Sequence, residues 1–278
     1  MRRDCWSVEC IGSFALVELW QVETPGCTQL ASLGKWGGSV LGNDAVIVAC
    51  QLRDRGLNVT CRLLDPTSAD MALIGSVLPP PTVSAIGLKT GESTRSLCLE
   101  DPSGRRRWVF SRLPEPGAEL GEISANAVYV DYYPEFVEYL NRNLVHHVMS
   151  SAQVIVNLSA ISSIRDVPRL VVKPSVVQAS ISRDLTFDEA AAFAIELGEV
   201  TGAQKVLVTQ GARGAVLAIG KETWHSHSPA RLDRSILGAG AVFASEVILG
   251  LLEELDRDQL LEWAVRRTAL RLESPEMQ

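Results

Sequence analysis

The run Leu237-Gly238-Ala239-Gly240-Ala241-Val242-Phe243 marks where a polar, proline-broken segment gives way to an apolar helix. Glycines immediately before a helix leave its first backbone N–H groups unobstructed, and those groups, with the positive end of the helix dipole, form a ready site for an anion. Gly238, Ala239 and Gly240 are therefore read as a phosphate cradle, an anion hole built from backbone donors. Small residues at a helix start also permit close packing, so the meaning of the run depends on what surrounds it. The next residue, Ala241, has no group capable of acid or base chemistry.

Upstream of the cradle, extended runs over 205–209 and 215–219 flank Gln210-Gly211-Ala212-Arg213-Gly214, a hairpin. Downstream, the helix continues through 255 with Ile248, Leu251, Leu252 and Leu255 on one face, and a last helix covers about 258–272. Thr186-Phe187-Asp188-Glu189 is a capping-box pattern that starts a helix to about 200, with Phe187, Ala191, Ala194, Ile195 and Gly198 as its face. Before it come a strand over 127–130, a helix over 135–149, a strand over 154–158 and short extended runs over 170–172 and 176–179.

The N-terminal third has the same grammar. Strands over 8–11 and 14–19 are separated by Gly12-Ser13, and Gly37-Gly38 opens a loop. A helix over 43–55 follows, with Val46, Ala49 and Cys50 at helical spacing and Gly56 as its stop, then a strand over 58–64. Strand, loop, helix and strand in this order predict an α/β fold with a mainly parallel sheet flanked by helices. The region 82–113 differs: runs over 95–100 and 106–111 are joined by Asp101-Pro102-Ser103-Gly104, which suits a type I turn. With no helix between its strands, this hairpin is expected to stand apart from the parallel sheet as a flap, closed off by Pro114 and Pro116.

At 278 residues and 46% apolar composition the chain can bury one large core, and it is read as a single domain, 1–278, without repeats or linkers. A net charge of −7 with scattered basic residues offers no footprint for nucleic acid, and Arg105-Arg106-Arg107 reads as a solvated turn. Asp4, Glu9 and Glu18 interrupt each early apolar run, against a signal peptide, and no stretch approaches the roughly 20 apolar residues of a membrane span. The expectation is a soluble, cytoplasmic protein with no membrane partner. All six cysteines fall within the first 98 residues without a C-x-x-C pair or a His cluster, and read as buried thiols.

A glycine pair before a helix (Gly37, Gly38, Asn43), a two-stranded flap, Thr209-x-Gly211-x-x-Gly214, then Gly-Ala-Gly opening a helix with Phe243 behind it: in this order the sequence resembles the PfkB carbohydrate kinases, the ribokinase-like family, over nearly its whole length. The resemblance implies a three-layer fold with a small β-lid, formed by about 14–34 and 82–113, over a sugar, a nucleoside or a phosphorylated metabolite. Such lids are often used for homodimerisation. It further implies ATP, with Mg2+, along Thr209, Gly211 and Gly214, the transferring phosphate near Gly238 to Gly240, and substrate contacts from Gly38, Asn43 and Glu18.

The departures from the family pattern matter equally. Family members follow Gly-Ala-Gly with an Asp that takes the proton of the attacking hydroxyl, and here that position is Ala241. The segment ahead of the cradle is Ser235-Ile236-Leu237, where the family has Asp-Thr or similar. The Asn-x-x-Glu element that organises magnesium falls near Ser180-Ile181-Ser182-Arg183, the substrate-binding Asp falls near Val17, beside Glu18, and the glycine-pair motif is one residue longer than usual. A positioned general base is worth about 100- to 10,000-fold in rate, whereas phosphoryl transfer rests mainly on positioning and charge neutralisation. Three readings follow: a kinase with impaired or altered chemistry, a catalytically dead nucleotide- or phosphosugar-binding partner subunit, or an enzyme that uses the cradle for other chemistry.

Arg183 is a candidate for neutralising phosphate charge in place of the missing carboxylate, and Asp233 and Glu246 are the nearest alternative carboxylates; both read better as structural or solvated. His146-His147 and His225-x-His227 read as surface histidines because no Cys or carboxylate lies at a matching spacing for a metal. Trp108 reads as flap packing.

Overall fold

The computed structural model describes residues 6–22, 34–41, 43–100, 106–111, 115, 117–147, 152–181, 185–229 and 237–273. In chain order the elements are β1 (Ser7–Gly12), β2 (Leu16–Val22), β3 (Gly34–Leu41), α1 (Asp44–Arg53), β4 (Asn58–Leu64), α2 (Ser68–Ile74) and β5 (Val83–Ile86). They continue with β6 (Arg95–Glu100), β7 (Arg106–Phe110), β8 (Ala127–Asp131), α3 (Val137–His147), β9 (Gln153–Ile161) and β10 (Val176–Ile181). Last come α4 (Phe187–Thr201), β11 (Lys205–Thr209), β12 (Gly214–Ile219), β13 (Glu222–His227), α5 (Ala239–Leu252) and α6 (Arg257–Leu272).

Nine strands form the central sheet in the order β13-β12-β11-β10-β9-β8-β1-β4-β5. Every pair from β5 to β11 is parallel, and β12 and β13 extend the sheet as antiparallel hairpins. Strands covered on both faces must be apolar throughout, and β8, Ala-Val-Tyr-Val-Asp, is buried at all five positions. One face packs against α1, α5 and α6 around Val48, Leu52, Val247, Ile248 and Leu261; the other packs against α3 and α4 around Leu140, Leu144, Phe193 and Leu197. The result is an α/β sandwich of three layers with a mainly parallel sheet.

A second sheet, β3-β2-β6-β7, stands off the first. The chain enters it directly from the carboxyl ends of β1 and β5 and leaves β3 straight into the start of α1, so it is rooted at the carboxyl edge of the parallel strands. Its root is fixed by Asp70 in the first turn of α2, a buried carboxylate that accepts from Thr67 N–H (2.9 Å), Thr94 N–H (2.8 Å), Thr94 Oγ1 (3.0 Å) and Ser93 Oγ (2.6 Å). Leu16 N–H donates to Thr94 C=O at 2.8 Å, which ties β2 to the same point.

Several elements differ from the sequence expectation for identifiable reasons. Gly37 and Gly38 do not open a loop; they lie within β3, where Leu19 pairs with Gly38 and Trp20 with Trp36, so Gly37 is the extra residue of a β-bulge. The flap segment expected from residue 82 starts later, because Val83–Ile86 pairs in parallel with β4 at the edge of the central sheet. The run 170–172 forms no strand. Helix α4 starts at its capping box as expected, yet its fully buried positions are Ala190, Phe193, Ala194, Leu197 and Thr201, rotated from the face read off the sequence, because its Phe187 end packs against His225 and His227 instead. Helix α5 is buried all round from Ala241 to Gly250, sandwiched between α1 and α6, so no single apolar face describes it. The turn 101–104 lies outside the described residues.

Candidate active site

Helices α1 and α5 both begin at the carboxyl edge of the parallel strands, the side on which open α/β sheets bind ligands. Gly238 is the N-cap of α5 in the left-handed region (φ 85°, ψ −1°), and α5 has no side-chain cap, so its first turn presents backbone N–H groups. The Gly238 φ favours glycine, and a Cβ there would lie 2.8 Å from the Ile47 Cδ1 tip of α1, which would have to shift. A Cβ on Gly240 would meet only ordinary contacts, Gln178 Nε2 at 3.8 Å and Ser180 Oγ at 4.0 Å. Gln178 Nε2 donates to Gly240 C=O at 2.9 Å, which holds the first turn of α5 against β10.

Ser180 Oγ and Thr209 Oγ1 lie 2.8 Å apart, so the ends of β10 and β11 bring Thr209 beside the cradle. Gly211 (φ 59°) and Gly214 (φ 121°) form the turn into β12, and a Cβ on Gly214 would lie 2.0 Å from Ser226 C=O. The Thr-x-Gly-x-x-Gly glycines thus answer first to the close approach of β13. Gln210 Nε2 and Arg213 Nη1 both donate to Leu185 C=O at 2.7 Å and fix this turn against the start of α4.

Of the residues expected on the substrate side, Asn43 is the N-cap of α1, and its amide donates to Ser13 Oγ rather than capping its own helix. Gly38 and Glu18 lie in the second sheet on adjacent strands, and Glu18 is half-buried with Arg95 at 3.4 Å. Ala241 is fully buried within the core formed by α1, α5 and the sheet. Glu246 is equally buried and paired with Arg55, with Arg267 at 3.9 Å, so it is a structural ion pair. Arg183, Asp233 and Arg105 lie outside the described residues, as do the side chains of His146 and His147. His225 and His227 pack around Phe187 with ring centroids 4.8 and 4.7 Å from it, and no group of metal-ligating side chains occurs among the described residues. Cys10, Cys61 and Cys98 are buried and Cys50 is half-buried. Trp108 stacks on Phe110 at 6.2 Å, exposed on β7.

The sequence reading did not find the most polar part of this edge. Asp131 closes β8 at zero exposure; its Oδ2 accepts from Ala45 N–H at 2.8 Å and its Oδ1 from Asn157 Nδ2 at 3.1 Å. It thereby serves the α1 N-terminus that Asn43 leaves uncapped. A Cβ on Gly12 would lie 2.5 Å from Asp131 Oδ2, so the glycine after β1 makes room for this carboxyl. Asp44 Oδ2 accepts from Tyr133 Oη and from Asn157 Nδ2, each at 2.9 Å. Burial, and then the charge of Asp44, push the Asp131 carboxyl from its ordinary 3.8 up to about 8. Burial likewise raises the Tyr129 and Tyr133 phenols. The signal available in the sequence is an acidic or amide residue closing an apolar run, Ala-Val-Tyr-Val-Asp131 at the end of β8 and Val-Ile-Val-Asn157 within β9.

No protein-family model and no curated protein matches the sequence. Among solved structures, ribokinase from Arabidopsis thaliana, complexed with ribose and ATP, aligns over 97% of this chain and 93% of its own, with a TM-score of 0.67 at 14% identity. The chain has the ribokinase-like fold. Phosphofructokinase-2 from Escherichia coli in complex with fructose-6-phosphate covers 96% of this chain and 94% of its own (TM-score 0.64, 17% identity). The nucleoside kinase of Methanocaldococcus jannaschii covers 99% and 94% (TM-score 0.64, 10% identity). Such identities establish the ribokinase-like fold alone, so the roles of individual residues rest on the geometry above. No helix among the described residues is long and apolar enough to cross a membrane.

Proposed function

We propose that the chain binds a nucleoside triphosphate at the α5 N-terminus and transfers its terminal phosphoryl group to a hydroxyl of a sugar or nucleoside held under the second sheet. The observation that carries this reading is the cradle itself: an uncapped 14-residue helix, entered through a left-handed Gly238, opening at the carboxyl edge of a parallel sheet. Thr209, Gly211 and Gly214 line the nucleotide in this reading, with Ser180 beside Thr209, and Gly38, Asn43 and Glu18 face the acceptor. The second sheet acts as the lid, and its exposed Trp36, Trp108 and Phe110 suit a contact with a second copy.

The donors around the cradle fit phosphate: backbone N–H groups, two hydroxyls and the Gln178 amide. Among the described residues these donors are all neutral, so Mg2+ in this reading arrives on the nucleotide phosphates. The second reading, a nucleotide- or phosphosugar-binding partner protein without turnover, is favoured by Ala241, which removes acid–base chemistry from the cradle while leaving its donors in place.

Thermal unfolding with ATP, ADP, Mg2+ and a panel of pentoses, hexoses and nucleosides tests the proposal. A ligand at 100 times its Kd raises stability by about 2.7 kcal/mol, roughly 5–10 °C in Tm for a domain of this size. A midpoint unmoved by any nucleotide sinks both readings. A shift with ATP but no phosphorylated acceptor selects the second.

A further inference from the structure

The helix packed beside the cradle carries a carboxylate, Asp44, in its first turn. We propose that Asp44 is the acid–base residue of this site, taking the acceptor proton that Ala241 cannot take; the assignment rests on reading the α5 N-terminus as the phosphate cradle.

Placement is the first argument. Gly238 approaches α1 so closely that a Cβ on it would lie 2.8 Å from Ile47 Cδ1. Asp44 is one turn before Ile47 on the same helix face, about 4.5 Å along the axis toward the N-terminus. Since α1 and α5 both begin at the carboxyl edge of the sheet, that turn carries Asp44 beyond the contact and in front of the first N–H groups of α5. An acceptor hydroxyl aimed at a phosphate in the cradle meets this carboxylate.

Orientation is the second argument. Two donors from different segments, Tyr133 Oη just after β8 and Asn157 Nδ2 in the middle of β9, hold Asp44 Oδ2 at 2.9 Å each. A third, independent sign is the state of the floor beneath. The Tyr129 hydroxyl is wholly buried and turned to Asp131, which it serves as a hydrogen-bond partner. Gln178 Oε1, beside Gly240, is buried with no hydrogen-bond partner among the described residues. Native interiors rarely leave such groups unpaired except where a ligand, ion or water completes the set.

Charge is the last argument. The titratable groups facing Asp131 are Tyr129 and Tyr133 from β8 and its continuation, Asp44 from α1, Cys10 from β1 and Cys61 from β4. Burial raises both phenols and both thiols, and Asp131 itself is held up to about 8 by burial and then by the charge of Asp44. Like charges this close do not both ionise, and the buried member keeps the proton. In the transfer step the acceptor O–H proton passes to the Asp44 carboxylate as its oxygen bonds the terminal phosphorus. The bond from that phosphorus to the bridging oxygen breaks, and its electron pair leaves with the nucleoside diphosphate.

The test uses the full chain and radiolabelled ATP with the acceptor panel, alongside calorimetric ATP binding. For Asp44→Asn, kcat is expected to fall about 100-fold or more, while ATP Kd stays within about twofold and the acidic limb of the pH–rate profile disappears. Tyr133→Phe keeps the fold and removes one donor to the carboxylate, so the acidic limb is expected to move up by about half to one pH unit, a shift that a purely structural role would not produce. Asp44→Asn retaining kcat within threefold overturns the assignment. So does an unmoved limb in Tyr133→Phe, or a wild-type protein that binds ATP and phosphorylates nothing. Absence of ATP binding is a separate result, since it removes the proposed function as well.

Discussion

Replacing Asp131 with Asn isolates one titration from the rest of the molecule. In the folded protein the Asp131 carboxyl titrates at about 8, against an ordinary 3.8, because it is fully buried beside the charge of Asp44. Between those values the folded state holds a proton that the unfolded chain has released. The stabilisation is therefore complete below about pH 4 and is lost as pH rises through about 8. For one proton the slope is at most about 1.4 kcal/mol per pH unit, which in a domain of this size is roughly 3–5 °C in Tm.

Asn keeps the shape and abolishes the titration. Its side-chain oxygen can still accept from Ala45 N–H, but its amide group then faces the Asn157 Nδ2 donor that lies 3.1 Å from Asp131 Oδ1. That mismatch costs about 1–3 kcal/mol at every pH. The informative quantity is thus the slope of the difference between variant and wild type, not its offset. Paired urea and thermal unfolding from pH 4 to 8.5 should show Asp131→Asn gaining on the wild type steadily as pH rises. A difference that is flat across the window, or a wild type that gains on the variant, would refute the assignment of the proton to Asp131.

Gly238→Ala is expected to cost about 1–3 kcal/mol, since its φ of 85° is strained for a side chain and the added Cβ lies 2.8 Å from Ile47 Cδ1; ATP affinity should fall with it, read by calorimetry. Gly240→Ala, whose Cβ would meet nothing nearer than 3.8 Å, should leave Tm within about 2 °C. Arg55→Ala leaves the fully buried Glu246 with only Arg267, at 3.9 Å, and should destabilise by about 3–5 kcal/mol in denaturant unfolding; adding Glu246→Gln should recover part of that loss. Ala241→Asp places a carboxylate at a fully buried position, with the α5 dipole offsetting only about 1–2 kcal/mol of its burial; a lowered Tm without gain in phosphoryl transfer is expected. A gain of tenfold at unchanged Tm would return the base to residue 241.

The fold was legible because its signals are local. Glycines before α5 and the Thr186–Glu189 capping box each report the backbone around them and lie in the expected element, as do the apolar strand runs other than 170–172. The second sheet was harder to read because its β3 carries Gly37 and Gly38, poor strand formers whose place is set by pairing with β2 and by a bulge. Helix α2 was missed for its brevity, although Thr67 and Asp70 form a capping box. The site divides in the same way. Gly238 is conspicuous in sequence, whereas Asp44, Asp131 and Asn157 belong together only because β8 and β9 are neighbours and α1 starts above them, over sequence separations of 26 to 113 residues.

That division has a physical cause. The bodies of the parallel strands are covered on both faces, so a polar side chain within them would be desolvated at a cost of several kcal/mol with nothing to pair with. Asp131 closes β8 and lies in register with Asn157 in the middle of β9 and Gln178 in β10, while Ser180 and Thr209 lie further toward the edge where α1 and α5 begin. Those helix starts supply N–H groups that acidic and phosphate oxygens satisfy. Asp131 uses the α1 donor at Ala45, whereas Gly238, the N-cap of α5, makes no side-chain cap. One helix terminus of the pair is thus closed by a residue of the protein and the other is left open. In the proposed reading the open one takes the phosphate, and Asn157, which bridges Asp131 and Asp44, ties the closed one to the carboxylate assigned to the acceptor.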